Sequence, residues 1–247
     1  MERREYETSY RLEDTYWWYV GQRRLLERFL KDNYLGSEGR RFLDVGCGTG
    51  RNLDTLQRYG EAIGIDVSDD AIEFSARRKH KVIKNDVTNI KFRSESFDAV
   101  SSLGVFYHKA VINDADGFRE MFRVLKQDGR LFFFDSAMPC LYGNHDRAFH
   151  GVRRYSIDSL RNALLSAGFM IETITYVNLA LFPFVYLKRK LEQYYPDLIP
   201  RSEVNDIGWI PNEILKIINL LELICLRHSS QHYFGMNIMA IGKKMPR

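Results

Sequence analysis

The feature that most constrains this chain is Leu43-Asp44-Val45-Gly46-Cys47-Gly48-Thr49-Gly50, an apolar run that breaks into glycine at every second position. Arg41 to Val45 reads as a strand, and a helix follows the glycines. Glycine lacks a Cβ, so backbone amides can approach a ligand closely and the chain can turn sharply. The following helix then directs its N-terminus at that ligand. A dinucleotide fingerprint wants glycine at 46, 48 and 51. Position 51 is Arg51, the third glycine falls one residue early, and Asp44 lies two residues before the first. A carboxylate there suits a ligand with an ammonium group better than a pyrophosphate. A tight strand-to-helix turn alone accounts for one or two glycines, not for three preceded by an acid.

Short apolar runs alternate with helical spacing along most of the chain, which predicts βαβ units and a mostly parallel sheet. The predicted strands are Arg41 to Val45, Ala62 to Asp66, Lys81 to Lys84, Phe97 to Ser101, Arg130 to Asp135, Met170 to Tyr176 and Gly235 to Ile241. Helical spacing covers Asp69 to Arg78 and Asp114 to Leu125. A further helix starts at an N-cap, Ser156, and stops at Gly168. At 247 residues the chain is expected to be one domain. Its parts would be an N-terminal helical cap (1–40), a core sheet (41–178), a helical insertion (179–232) and a last strand (233–247). In the insertion, EILKIINLLELICL puts Glu213, Lys216, Asn219 and Glu222 on one narrow polar stripe and leaves the rest apolar.

Composition narrows the function classes. With 45% hydrophobic and 28% charged residues the chain is neither disordered nor low in complexity. A formal charge of +4 lacks the dense basic stripe of a nucleic-acid-binding domain, so no nucleic-acid partner is expected. Cys47, Cys140 and Cys225 are odd in number and far apart, which points to no disulfide framework, no metal cluster and a cytoplasmic setting. No apolar run approaches the roughly 20 residues that span a bilayer. Arg77-Arg78-Lys79-His80-Lys81 falls at a helix C-terminus, where the macrodipole accounts for cations.

Acids recur at strand ends. Asp66 closes the second strand, where a carboxylate can accept both hydroxyls of a ribose. Asp86 follows the third strand and could receive an adenine amino group. Taken in order, RFLDVGCGTG, AIGIDVS, VIKNDV, FDAVSSLGVFYH and VLKQDGRLFF resemble the class I S-adenosylmethionine-dependent methyltransferase family over about Arg41 to Asp135. YWWYVGQRRLL and HDRAFHGVRRYS resemble its bacterial type 11/12-like branch of small methyltransferases. The resemblance implies a Rossmann-like seven-stranded α/β sheet, helices on both faces, with only the last-inserted strand antiparallel. It implies S-adenosylmethionine as cofactor, with Asp44 and Gly46, Cys47, Gly48, Thr49 and Gly50 at its methionine portion. It further implies Asp66 and Val67 at the ribose, Asp86 and Val87 at the adenine, and Leu103 near the methyl donor.

The acceptor site should sit on loops at the carboxyl ends of the strands. His108 follows the fourth strand; His145, Asp146, His150, Arg153, Arg154 and Tyr155 follow the fifth. A hydroxyl acceptor needs a base, for which His108, His145, His150 and Tyr155 are the candidates. Arg153 and Arg154 with Asp146 and Tyr107 would bind the substrate, the arginines favouring an anionic group. Near the start, Trp18 could close over the sulfonium and Arg23 could meet the cofactor carboxylate, with Tyr16 and Trp17 toward the substrate. The leading expectation is methyl transfer to an oxygen or nitrogen of a small molecule by a monomer or homodimer, with the insertion as lid or pocket wall. A lipid-linked acceptor at a membrane surface and a non-catalytic cofactor-binding protein are the alternatives.

Overall fold

The computed structural model describes residues 3–194, 207–226 and 232–246. In chain order its elements are α1 (Arg3–Leu12), α2 (Trp17–Tyr34), β1 (Arg41–Val45), α3 (Arg51–Gln57), β2 (Glu61–Asp66) and α4 (Asp69–Arg77). Then come β3 (Val82–Lys84), β4 (Phe97–Leu103), α5 (Asp114–Val124), β5 (Leu125–Ser136), α6 (Asn144–Ala148) and α7 (Ile157–Ala167). The last are β6 (Met170–Val177), α8 (Phe182–Tyr194), α9 (Trp209–Cys225) and β7 (Asn237–Lys243).

The seven strands form one sheet in the order β3-β2-β1-β4-β5-β7-β6. All neighbours are parallel except β7, which runs antiparallel to both β5 and β6. The order reverses at β1 and β4, so the carboxyl ends of those strands flank the crevice where open α/β sheets bind ligands. The central strands are buried on both faces, and successive side chains serve opposite layers. Phe133 packs with Phe118, Met121, Leu160 and Leu164 on one face. Phe132 and Phe134 pack with Leu26, Phe29, Leu53 and Leu56 on the other. β5 begins five residues earlier than its apolar run suggests, because Leu125 pairs with Phe97 before the strand resumes regular register at Arg130.

The insertion is helical, but its orientation is the reverse of an ordinary surface helix. Of α9's polar stripe, Asn219 lies against Gly21 and donates to Asn178 Oδ1, and the Glu222 carboxylate accepts from the amides of Asn178 and Leu179. Asn212, near the start of the same helix, accepts from Trp17 N–H at 2.8 Å and donates to the Thr15 carbonyl. The apolar side, Ile210, Ile214, Ile217, Leu221 and Ile224, faces outward. α8 repeats the inversion: Arg189 and Glu192 are buried and paired, while Phe184, Leu187 and Leu191 are exposed. None of the described residues from 179 to 232 lines the principal cavity, so those residues do not form the lid expected of them. Positions 195–206 and 227–231 of the insertion lie outside the described residues. No described helix is long and apolar enough to cross a membrane.

Because the outward side chains of α9 touch solvent, Ile217→Lys is expected to change stability by less than about 0.5 kcal/mol. Glu222→Ala leaves two amides without their acceptor and is expected to cost roughly 1–3 kcal/mol. Urea denaturation of the two variants tests this orientation, and the reverse ranking would place α9 the other way round.

Candidate active site

The site begins at the turn from β1 into α3. Gly46 holds φ +69°, and a Cβ there would stand 2.4 Å from Val105 Cγ2, so both backbone and space require glycine. The amides of Gly46 and Cys47 donate to the Ile65 carbonyl at 2.8 and 3.0 Å, tying the turn to the end of β2. There the Asp66 carboxylate accepts from Gly48 N–H at 3.0 Å and Ser68 N–H at 2.9 Å. Burial pushes the Asp66 carboxyl up, and the donated amides oppose that shift.

A cavity of about 290 Å³ opens over this turn. Its floor is Gly46 to Thr49, Ile65 to Ser68, and the strand-end residues Asn85, Asp86 and Val87. Its roof comes from the N-terminus: Tyr6, Ser9 and Glu13 around α1, with Trp18, Tyr19, Gln22 and Arg23 from α2. α1 rests on α4 through the stacked Tyr6 and Phe74 rings and the Arg3 ion pairs to Asp70 and Glu73 at 2.8 and 2.7 Å. The far wall holds Leu103, Val105, Tyr107, His108, Val111, His145 and Phe149.

Of the residues expected at the cofactor, Gly46, Cys47, Gly48, Thr49, Asp66, Val67, Asp86, Val87, Leu103, Trp18 and Arg23 line this one cavity. Asp44 does not. It is 1% exposed, and its carboxylate accepts from Ser101 Oγ at 2.6 Å, bracing β1 against β4 while burial pushes it up to about 7. Gly50 is also outside the wall: it is the left-handed residue before α3, crowded by Ser75 and His80. Asp86 faces the cavity margin, with one carboxylate oxygen accepting from both Thr88 N–H and its hydroxyl.

The expected acceptor residues separate more sharply. Tyr107, His108 and His145 are in the wall; His150, Asp146, Arg153, Arg154, Tyr155, Tyr16 and Trp17 are not. Asp146 is buried against the Arg154 guanidinium at 2.8 Å and accepts Gly143 N–H. Arg153 donates to the carbonyls of Phe106 and Val111, and Tyr155 donates to Asp114 at 2.7 Å. Arg153 and Tyr155 fasten the segment after β5 to the segment after β4, the Asp146–Arg154 pair braces the former internally, and these roles remove the four from the cavity. Tyr16 and Trp17 are buried with their rings 5.9 Å apart. His150 sits edge-on behind His108, 5.9 Å between ring centres. Burial drives His108 down to about 4, which keeps it neutral near pH 7, and its Nδ1 accepts from Ala110 N–H.

Tyr6, Ser9, Glu13, Tyr19, Gln22, Asn85 and Phe149 also line the cavity and were not expected from sequence. The start of the chain carried a signal: Tyr6, Tyr10 and Glu13 fall at helical spacing on one face.

Known proteins resemble the chain in part of its sequence and in its fold. Residues 43–133 match the family model described as a methyltransferase domain. Among curated proteins, the chain is 28% identical over 167 residues to sterol 24-C-methyltransferase of Debaryomyces hansenii, covering 59% of this chain and 44% of that protein. It is 32% identical over 114 residues to probable tRNA methyltransferase 9B of Mus musculus, covering 46% and 25%. The matches thus span less than half the length of these relatives. A solved structure titled as a possible histamine N-methyltransferase from Thermotoga maritima superposes with a TM-score of 0.61 at 18% identity, covering 98% of this chain and 95% of that one. Geranyl diphosphate C-methyltransferase from Streptomyces coelicolor, solved with S-adenosyl-L-homocysteine, gives 0.57 at 16% identity, covering 90% and 80%.

Residues 43–133 thus carry a methyltransferase domain, and the fold around them is that of the class I S-adenosylmethionine-dependent methyltransferases, whose bacterial type 11/12 branch fits it. Its cofactor is S-adenosylmethionine. The cavity has complementary chemistry: a carboxylate at the end of β2 for hydroxyl donors, and the Arg23 guanidinium for a carboxylate.

Asp66→Ala removes that acceptor and is expected to weaken S-adenosylmethionine binding about 10- to 100-fold in calorimetric titration. Unchanged affinity would move the ribose elsewhere. Asp146→Ala leaves Arg154 buried without its carboxylate, so it is expected to cost about 3–5 kcal/mol of stability while sparing cofactor affinity in the same titration.

Proposed function

We propose that this chain transfers the methyl group of S-adenosylmethionine to an oxygen or nitrogen of a small, uncharged acceptor that enters between Tyr107, His145 and Phe149. The observation that carries this reading is the continuity of one cavity from the glycine turn and Asp66 to a wall of histidine and aromatic side chains. Arg153 and Arg154, expected to favour an anionic acceptor, are engaged within the fold, which supports an uncharged, largely apolar one.

When bound, the cofactor supplies a sulfonium methyl already activated for in-line displacement. The protein's share is then alignment and dryness. Trp18 and Tyr19 close the cavity from the α2 side and keep water from the methyl. His145, on α6 and tilted against Phe149 with 4.6 Å between ring centres, is positioned to take the proton that a neutral hydroxyl or amine acceptor sheds on methylation. His108 is the lesser base, since burial holds it low.

A second reading, a lipid-linked acceptor at a membrane surface, is favoured by the outward apolar sides of α8 and α9. Flotation with anionic liposomes separates the two, because an uncharged soluble acceptor requires no vesicle binding.

A thermal-shift titration with S-adenosylmethionine, with NAD as control, is the direct test. Ligand at 100 times its Kd adds about 2.7 kcal/mol, or roughly 5–10 °C for a chain of this size. A shift with NAD alone would overturn the reading. Once an acceptor is found, His145→Ala is expected to slow turnover by about 10²-fold or more with cofactor affinity retained. Turnover at the wild-type rate would remove His145 as the base.

A further inference from the structure

The amino-acid end of the cofactor needs partners for two opposite charges, and the matched family region 43–133 does not provide the acid expected for one of them. Asp44 is sealed beneath the turn on Ser101, outside the cavity wall. The charged side chains that do reach this part of the cavity are Glu13, Arg23 and Arg51. Arg51 pairs with Asp14 and Asp54. Glu13, 4% exposed, accepts from the Thr49 hydroxyl and pairs with Arg78 of the segment following α4. Each of its oxygens has one such partner, and a carboxylate has about four acceptor positions, so capacity for a further donor remains.

Arg23 differs from its neighbours. It makes no hydrogen bond and no ion pair within the described residues, yet it lies half-buried in the roof one helical turn from Tyr19. Burial and the nearby Arg51 lower its affinity for its proton, as expected for a cation placed where an anion belongs. Arg51 and Arg78 are balanced by Asp14, Asp54 and Glu13, so a ligand with paired opposite charges fits where a net anion or cation does not.

We propose that Glu13 and Arg23 form a zwitterion clamp, Glu13 accepting from the cofactor's ammonium and Arg23 donating to its carboxylate. The clamp rests on the cofactor reading above and deepens it: the methionine end is recognised by the N-terminal helices, not by the glycine turn alone. The roof then selects ligands with an intact amino-acid tail and discriminates against the same nucleoside without one.

The test compares two ligands in each protein by calorimetric titration. S-adenosylhomocysteine carries the tail, and 5′-methylthioadenosine shares the nucleoside and sulfur but lacks it. Wild type is expected to prefer the first by at least about tenfold. Glu13→Gln and Arg23→Met are each expected to reduce that preference several-fold while leaving methylthioadenosine affinity within about twofold. Taking the ratio within each variant cancels general damage to the fold, and methylthioadenosine binding itself reports an intact site. Should Glu13→Gln fail to fold without Arg78's partner, Glu13→Asp replaces it and is expected to lose part of the preference. A preference unchanged in both variants, or an equal loss of both ligands, overturns the clamp and leaves the cofactor reading standing. If wild type binds neither ligand, the cofactor reading falls, and the clamp with it.

Discussion

The arrangement of the whole site depends on how the turn after β1 is tied to β2. Two amides of the turn donate to Ile65 O, and a third donates to Asp66, so the loop cannot move without breaking the end of a central strand. Gly46 permits this because its left-handed backbone presses against Val105, on the loop that follows β4. One small turn therefore fixes the relative positions of three strand ends. The floor is rigid for the same reason that the core is: β1 and β4 are buried on both faces and have no slack in register.

That dependence explains which parts of the protein are legible in its sequence. Strands, glycine turn and Asp66 follow from local patterns, because a turn's chemistry and a strand's period are written in adjacent residues. All seven strands overlap the apolar runs that predict them, β5 with an earlier start, and the Ser156 cap and Gly168 stop bound α7 as expected. Side-chain pairings across the chain are not written locally. Asp44 looks like a ligand-binding acid until Ser101, 57 residues away, is known to donate to it. Asp146 and Arg154 look like catalytic groups until they are seen to satisfy each other in the interior. For Asp146 burial created a need that a nearby internal partner met in full, whereas Ser101 serves only Oδ1 of Asp44 and leaves Oδ2 buried without a hydrogen bond.

The insertion obeys a related rule. Its periodicity predicts a helix, and α9 is one, but periodicity has no sign: it shows that two faces differ, not which one turns inward. Here Asn219 and Glu222 find their contacts on α2 and at the end of β6, and those directional contacts orient the helix with its aliphatic side outward. The apolar pattern alone would assign the opposite orientation. The N-terminus is obscured differently, since a charged start conceals Tyr6 and Glu13 among residues that merely keep it solvated.

Tyr6 is the sole buried residue within α1, and beyond the Tyr6 and Tyr10 rings on Phe74 the helix is held to α4 by exposed ion pairs. Contacts of that kind contribute little each and weaken with salt, so α1 belongs to the easily opened end of the molecule's range of local stabilities. A ligand that touches both roof and floor stabilises only the docked arrangement. Cavity occupancy and α1 order are consequently one equilibrium observed at two places: slowed amide exchange in α1 and retention of the bound molecule must rise together.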